Sequence, residues 1–208
     1  MIVQGSPEWH QLRVGKATAS KIADIMAKGQ GKMRAAYARQ LVAERLTGLQ
    51  TAGFKSGAMA RGNEIEPAAR EAYEYHTGQF IEQVAFVDHP TIPMSGASPD
   101  GLVGLEGGVE IKCPDSTTHI DTLQGAPIDG GYLKQMHWNM ACTGRQWWDY
   151  VSYDPRMPSA MRLFIQRVPR DGLVIVSLER EVSAFLAEID KTVAELTSLY
   201  GAKLAEAA

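Results

Sequence analysis

The sequence predicts a mixed α/β domain: a central β-sheet of mixed strand direction flanked by helices, entered through a helical N-terminal region and closed by a C-terminal helix. Three observations carry that prediction. Apolar residues recur at helical spacing before Gly78, again after Gly130 and again after Val182. Between Phe80 and Lys112 they fall instead into short alternating runs cut by Pro and Gly. The 208 residues, 45% of them hydrophobic, suffice for one substantial core, so residues 1–208 are read as a single domain.

Taken in order, TASKIADIMAK has the composition of a helix capped by Thr18 or Ser20. RAAYARQLVAERLTG sets Ala36, Leu41, Val42 and Leu46 at helical spacing and stops at Gly48. GAMARGNEIEPAAREAYEYHTG is also helical in pattern, but Pro67 lacks an N–H and should kink or split the helix after Glu66, aiming that carboxylate inward. FIEQVAFVD, PMSGASPD, GLVGL and GVEIK read as a meander of strands, the last two joined by a hairpin through Glu106-Gly107-Gly108. Helical periodicity returns over 130–143 (GGYLKQMHWNMACT), QWWDYVSYD and MRLFIQRVP are two further strands, and Val182 to Leu204 form an amphipathic helix.

Composition narrows the function classes. No run of 18 apolar residues occurs, and MIVQGSPEWHQLR lacks the basic-then-apolar order of a secretory signal, so a cytoplasmic protein without a membrane span is expected. Cys113 and Cys142 are the two cysteines, without the spacing of a zinc site, an iron-sulfur cluster or a disulfide framework, and read as buried thiols. Residues 1–61 hold ten Lys and Arg against three acids, a net +7, while the remainder carries −10 of the overall −3. One end of the chain can thus face phosphate; solvated helix faces account for the same bias equally well.

The densest chemistry lies in ASPDGLVGLEGGVEIKCP. Side chains alternate along a strand, so Glu110 and Lys112 share a face and Ile111 takes the other. A hairpin brings Asp100 across from that strand, and two carboxylates converge beside a lysine. Mg²⁺ prefers few protein oxygens, keeping waters and substrate phosphate oxygens for the rest of its shell. Asp100, Glu110 and the Ile111 carbonyl meet that need. An ammonium beside them can orient the attacking water and offset charge building on phosphorus. By spacing alone, the same residues equally describe a wet strand face and an ordinary Asp-Gly turn.

Five blocks in order break the tie: EWHQLRVGKATAS, RGNEIEP, ASPDGL, EIKCP, and YLKQMHWNM followed by YVSYDPRM. Together they resemble, over residues 8 to about 158, the phage lambda exonuclease family, viral-recombinase nucleases of the PD-(D/E)XK superfamily. The resemblance implies a restriction-endonuclease-like core in a prophage-encoded homologue. It implies an enzyme that degrades one strand of double-stranded DNA from the 5′ end to mononucleotides, leaving a 3′ overhang. It further implies Mg²⁺, with Mn²⁺ as a substitute and two ions once substrate is bound. A processive, ring-shaped homotrimer and a single-strand-annealing protein as partner complete the expectation.

Residue by residue, the match assigns metal binding to Asp100, Glu110 and the Ile111 carbonyl, the water-orienting cation to Lys112, and a supporting carboxylate to Glu66. Glu66 also reads as an acid favoured by the dipole of the following helix turn. Arg13, Ser20 and Ser98 match residues that hold the terminal 5′ phosphate. Gln135 and His137 match a pair of helix positions where glutamine is usual at both, and His137 departs from that pattern. Tyr132, Trp138, Trp147 and Trp148 read as core and interface. Relatives that act on single strands or flaps commonly carry four clustered cysteines, which two cannot supply, and a non-catalytic scaffold is expected to have lost one of Asp100, Glu110 and Lys112.

Overall fold

The computed structural model describes residues 2–27, 32–51 and 57–206. The N-terminal half is mainly helical: α1 (Pro7–Arg13), α2 (Ile22–Met26), α3 (Lys32–Thr47) and α4 (Gly57–Thr77), with the short strand β1 (Ala17–Thr18) between α1 and α2. Strands β2 (Ile81–Glu82), β3 (Val87–Asp88), β4 (Ser95–Ala97), β5 (Gly101–Val103) and β6 (Gly107–Lys112) follow. Helices α5 (Ser116–Leu123) and α6 (Gly130–Thr143) lead to β7 (Trp147–Tyr153), β8 (Leu163–Pro169) and α7 (Gly172–Glu206). The predicted mixed α/β class holds, but the strands divide between two sheets, ordered β2-β5-β6-β7-β8 and β1-β4-β3. FIEQVAFVD is therefore not one strand: its two ends, β2 and β3, pair in different sheets.

Only β6 and β7 run parallel in the larger sheet, and a parallel pair needs a crossover, which α5 and α6 supply. One sheet face packs under α4 through Ala69, Tyr73, Val109, Ile111 and Val151. The other packs under α6 through Met136, Met140, Trp148 and Tyr150. A third cluster joins α2, α3, α6 and α7 around Ile22, Leu41, Trp138 and Phe185.

Several boundaries differ from the sequence reading. The β5–β6 turn is Gly104–Glu106, and Gly107 and Gly108 lie within β6. In the parallel register they stand beside Trp147 and Trp148, whose rings occupy the space a Cβ would need. These glycines thus serve close packing rather than a turn. Pro67 does not split α4, which runs unbroken through it; the lost backbone donor is outweighed by burial of Ala69 and Tyr73 against the sheet. Neither Thr18 nor Ser20 caps α2 through its side chain, because residues 17 and 18 are drawn into β1 by pairing with β4. Helix α7 starts ten residues early, capped by Asp171, whose carboxylate accepts from Leu173 N and Val174 N at 2.9 and 3.2 Å. Helices α1 and α5 were not foreseen; Ser6 and Asp115 cap them. Among the described residues no helix is long and apolar enough to cross a membrane.

Half of the ten cations of residues 1–61 form ion pairs among the described residues. Lys16 pairs with Asp88, Lys21 with Asp24, Arg34 with Glu188, Arg45 with Asp190 and Arg61 with Asp154. Lys28, the last residue of the predicted helix TASKIADIMAK, and Lys55 lie outside the described residues.

Candidate active site

Strand β6 sends Val109 and Ile111 into the cluster under α4, so Glu110 and Lys112 project toward α6. Glu110 is 0% exposed and accepts from three side chains. Gln135 Nε2 donates to Oε1 at 2.6 Å, Asn139 Nδ2 donates to Oε2 at 3.2 Å, and Lys112 Nζ ion-pairs with Oε1. Gln135 and Asn139 are four apart on α6, one above the other, which is why both reach one carboxylate. Asp100 immediately precedes β5, and the Gly101–Val109 register sets it against the far end of β6, where its Oδ2 accepts from Ile111 N at 2.7 Å.

Burial raises the Asp100 pKa, with the Lys112 charge opposing. Burial, opposed by Lys112 and reinforced by Asp100, pushes the Glu110 carboxyl up to about 7. For Lys112 burial acts downward, but the charges of Glu110 and Asp100 prevail and lift its pKa above the ordinary lysine value. The Lys112 ammonium also lies 4.8 Å from the centre of the Tyr132 ring. Glu66, on α4, accepts from Arg70 Nη2 at 2.7 Å; burial and then Asp100 raise its pKa.

Glu66, Asp100, Glu110, Lys112, Tyr132 and Gln135 line a cleft of about 460 Å³ that also takes in Arg13, Ser20 and Ser98. Ser98 follows β4 and accepts from Trp9 Nε1 at 3.0 Å. Arg13 ends α1, its guanidinium 3.9 Å from the centre of the Trp9 ring, and it joins no ion pair among the described residues. Burial lowers its pKa, against the charges of Tyr37 and Glu44. A guanidinium that joins no ion pair among the described residues, hydroxyls and a carboxylate-lysine cluster therefore share one concave surface.

The donor set suits a hard divalent cation. Among the described residues no three His, Cys, Asp or Glu group tightly enough to hold a metal by side chains alone. Burial disfavours the charged forms of both carboxylates, so a cation beside them would stabilise those forms, and two protein carboxylates completed by water and phosphate oxygens is the arrangement Mg²⁺ favours.

His137 does not join the cleft. Two residues past Gln135 it is rotated by about 200° around α6, where it is buried with its Nδ1 unpartnered, and burial lowers its pKa, the charges of Asp171 and Arg170 acting on it as well. Trp138 and Trp148 are core as expected, whereas Tyr132 faces the cleft. The sequence reading missed Asn139 and Trp9. The four-residue step from Gln135 to Asn139 was a usable signal for the first; nothing in the local pattern marks Trp9 as the partner of Ser98.

Residues 8–146 match the family model described as a YqaJ-like viral recombinase domain. The chain is 48% identical to an alkaline exonuclease from Laribacter hongkongensis, LHK-Exo, over 96% of this chain and 100% of that one, with a TM-score of 0.90. The crystal structure of LHK-Exo in complex with dAMP matches at the same identity and coverage, with a TM-score of 0.89. A phage-related exonuclease from Haemophilus somnus shares the fold at 18% identity and a TM-score of 0.70, over 90% of this chain and 99% of that one. No curated protein matches.

Proposed function

Because the chain belongs to the YqaJ-like viral recombinase domain family, we propose that it is a recombination exonuclease that degrades one strand of double-stranded DNA from a 5′-phosphorylated end. The products are 5′-mononucleotides and a 3′ single-stranded overhang. The observation that carries this reading is the shared cleft, which Asp100, Glu110 and Lys112 line together with Arg13, Ser20 and Ser98. The similarity to LHK-Exo, whose structure holds dAMP, supports a nucleotide-sized product.

Asp100 and Glu110, with the Ile111 carbonyl, would hold Mg²⁺, and Mn²⁺ in its place, with Glu66 supporting a second ion when DNA is bound. When bound, such an ion would offset charge on the scissile phosphate and lower the pKa of a water. Lys112, kept protonated by its two acidic neighbours, acts as a fixed cation. It orients the attacking water and stabilises the negative charge that grows on the phosphate oxygens. Gln135 and Asn139 hold Glu110 in one orientation, and Gln135, at the cleft wall, can turn its amide to the substrate. Arg13 supplies a planar fork for the terminal phosphate, with Ser20 and Ser98 as hydroxyl donors.

The enzyme works in the cytoplasm as a processive homotrimer that encircles DNA and hands its overhang to a single-strand-annealing protein. A duplex labelled at one end and digested with and without EDTA reports polarity, strand choice and product size together. A mononucleotide ladder from the 5′ end that disappears with EDTA is expected; attack from the 3′ end would overturn the reading. Light scattering after gel filtration tests the trimer, and a monomer would leave a distributive enzyme.

A further inference from the structure

Two oppositely charged neighbours on α3 grip a single residue of the loop that leaves Arg13. The N–H of Gly15 donates to Glu44 Oε2 at 2.8 Å, and its carbonyl accepts from Arg45 Nε at 3.0 Å. Gly15 has φ +68°, and a Cβ there would stand 2.7 Å from Arg45 Cγ, so the grip requires glycine. Two turns earlier on α3, the Tyr37 hydroxyl accepts from Thr18 N at 3.1 Å and donates to Lys16 O at 3.2 Å. The backbone joining Arg13 to Ser20 is therefore tied at successive points to one helix that itself contributes nothing to the cleft wall.

Glu44 is the unusual member. It is 3% exposed and joins no ion pair among the described residues. Its second oxygen is held by Gln40 Nε2 at 2.9 Å and Thr51 N at 3.2 Å. A buried carboxylate satisfied only by neutral donors costs stability unless its geometry serves something else. What it serves is a loop whose position decides how far Arg13 and Ser20 stand from Ser98. Ser98 is placed from the opposite side, by β4, which pairs with β1 within the same loop.

We propose that Glu44 and Arg45 are positioning residues for end recognition: by fixing the two peptide groups that flank the Gly15 Cα they set Arg13 and Ser20 against Ser98, so that selectivity for a 5′ phosphate over a 5′ hydroxyl is set from α3. The inference rests on reading Arg13, Ser20 and Ser98 as the phosphate pocket. Displacing the loop loosens charge-assisted hydrogen bonds to the phosphate, so selectivity should fall about tenfold or more.

The test is equilibrium binding of the full-length protein, in EDTA, to fluorescein-labelled duplexes ending in 5′ phosphate or 5′ hydroxyl, read by anisotropy. Glu44→Gln can accept on one side only, and Arg45→Met keeps the aliphatic stem without the donor. Asp190→Asn removes the ion pair that Arg45 makes with α7 and leaves the Gly15 contact intact. The phosphate-to-hydroxyl affinity ratio should collapse in the first two and stay at the parental value in the third. An unchanged ratio in Glu44→Gln and Arg45→Met, or parallel loss of both affinities, would overturn the proposal. A parental ratio near one would overturn the phosphate pocket itself, and thermal melting of each variant separates loop displacement from unfolding.

Discussion

Lys112→Ala probes the site where its electrostatics are most exposed to measurement. Truncation leaves Glu110, fully buried, with two amide donors and no cation. Breaking a buried ion pair costs about 3–5 kcal/mol if the remaining charge stays. Glu110 avoids that cost by taking up a proton, at about 1.4 kcal/mol for each pH unit above its pKa. With that carboxyl pushed up to about 7, protonation costs about 2 kcal/mol at about pH 8.5, and with the lost hydrogen bond of about 1 kcal/mol the Glu110 share of the loss is bounded near ~3 kcal/mol. Near pH 6, where the carboxyl is already mostly protonated, that hydrogen bond and the attraction between Lys112 and Asp100 remain to be lost.

The sign follows from proton counting. A carboxyl whose folded pKa lies above its unfolded value makes the native protein bind more protons than the unfolded chain, so stability falls as pH rises. Without Lys112 the native state holds that proton to higher pH, and the variant falls more steeply. Urea denaturation in EDTA near pH 6 and pH 8.5 should therefore show a gap that widens with pH. Cleavage in Mg²⁺ should drop by at least about 10²-fold while duplex binding persists. Full activity would remove Lys112 from the chemistry, and a gap that narrows with rising pH would refute the charge coupling.

Asn139→Leu strips Glu110 Oε2 of its donor, and a loss of about 1–3 kcal/mol by chemical denaturation, with cleavage down about tenfold, is expected. Unchanged kinetics would confine Asn139 to a packing role. Gly107→Ala and Gly108→Ala drive a methyl into the rings of Trp147 and Trp148, and each should lower stability by about 1–3 kcal/mol; thermal unfolding checks this, and no change would mean the parallel register is wrong. Asp154, buried at the end of β7, is held below the usual carboxylate range chiefly by Arg156, with Ser116 also donating. A depressed folded pKa contributes stability above the unfolded value that is lost as pH falls. The advantage of the parent over Asp154→Asn should accordingly vanish between about pH 5 and the strongly acid range, and a constant difference across that window would contradict it.

Local rules made much of this protein legible before any coordinates. Alternation along β6 determined that Glu110 and Lys112 share a face, and a hairpin after Asp100 determined that a second carboxylate meets them. Helical spacing located α3, α4 and α6, because periods of two and 3.6 are properties of a single segment. Cap signals were readable too, yet Thr18 and Ser20 show their limit: pairing with a strand some eighty residues away took the backbone that a cap would have used.

Which partner a side chain meets was decided only in three dimensions. The +7 of the first 61 residues looked like a phosphate-facing surface, but five of its cations pair with acids, four of them supplied by distant segments, while Arg13 in the cleft joins no ion pair among the described residues. Gln135 and Asn139 became ligands of Glu110, and His137 a buried ring, through the rotation of α6 against the sheet, which is set by packing of Met136, Met140 and Trp148. The physical reason is one of range: backbone geometry acts between neighbours in the chain, whereas burial, ion pairing and a raised carboxyl pKa arise from groups that meet only when separate elements close on one another.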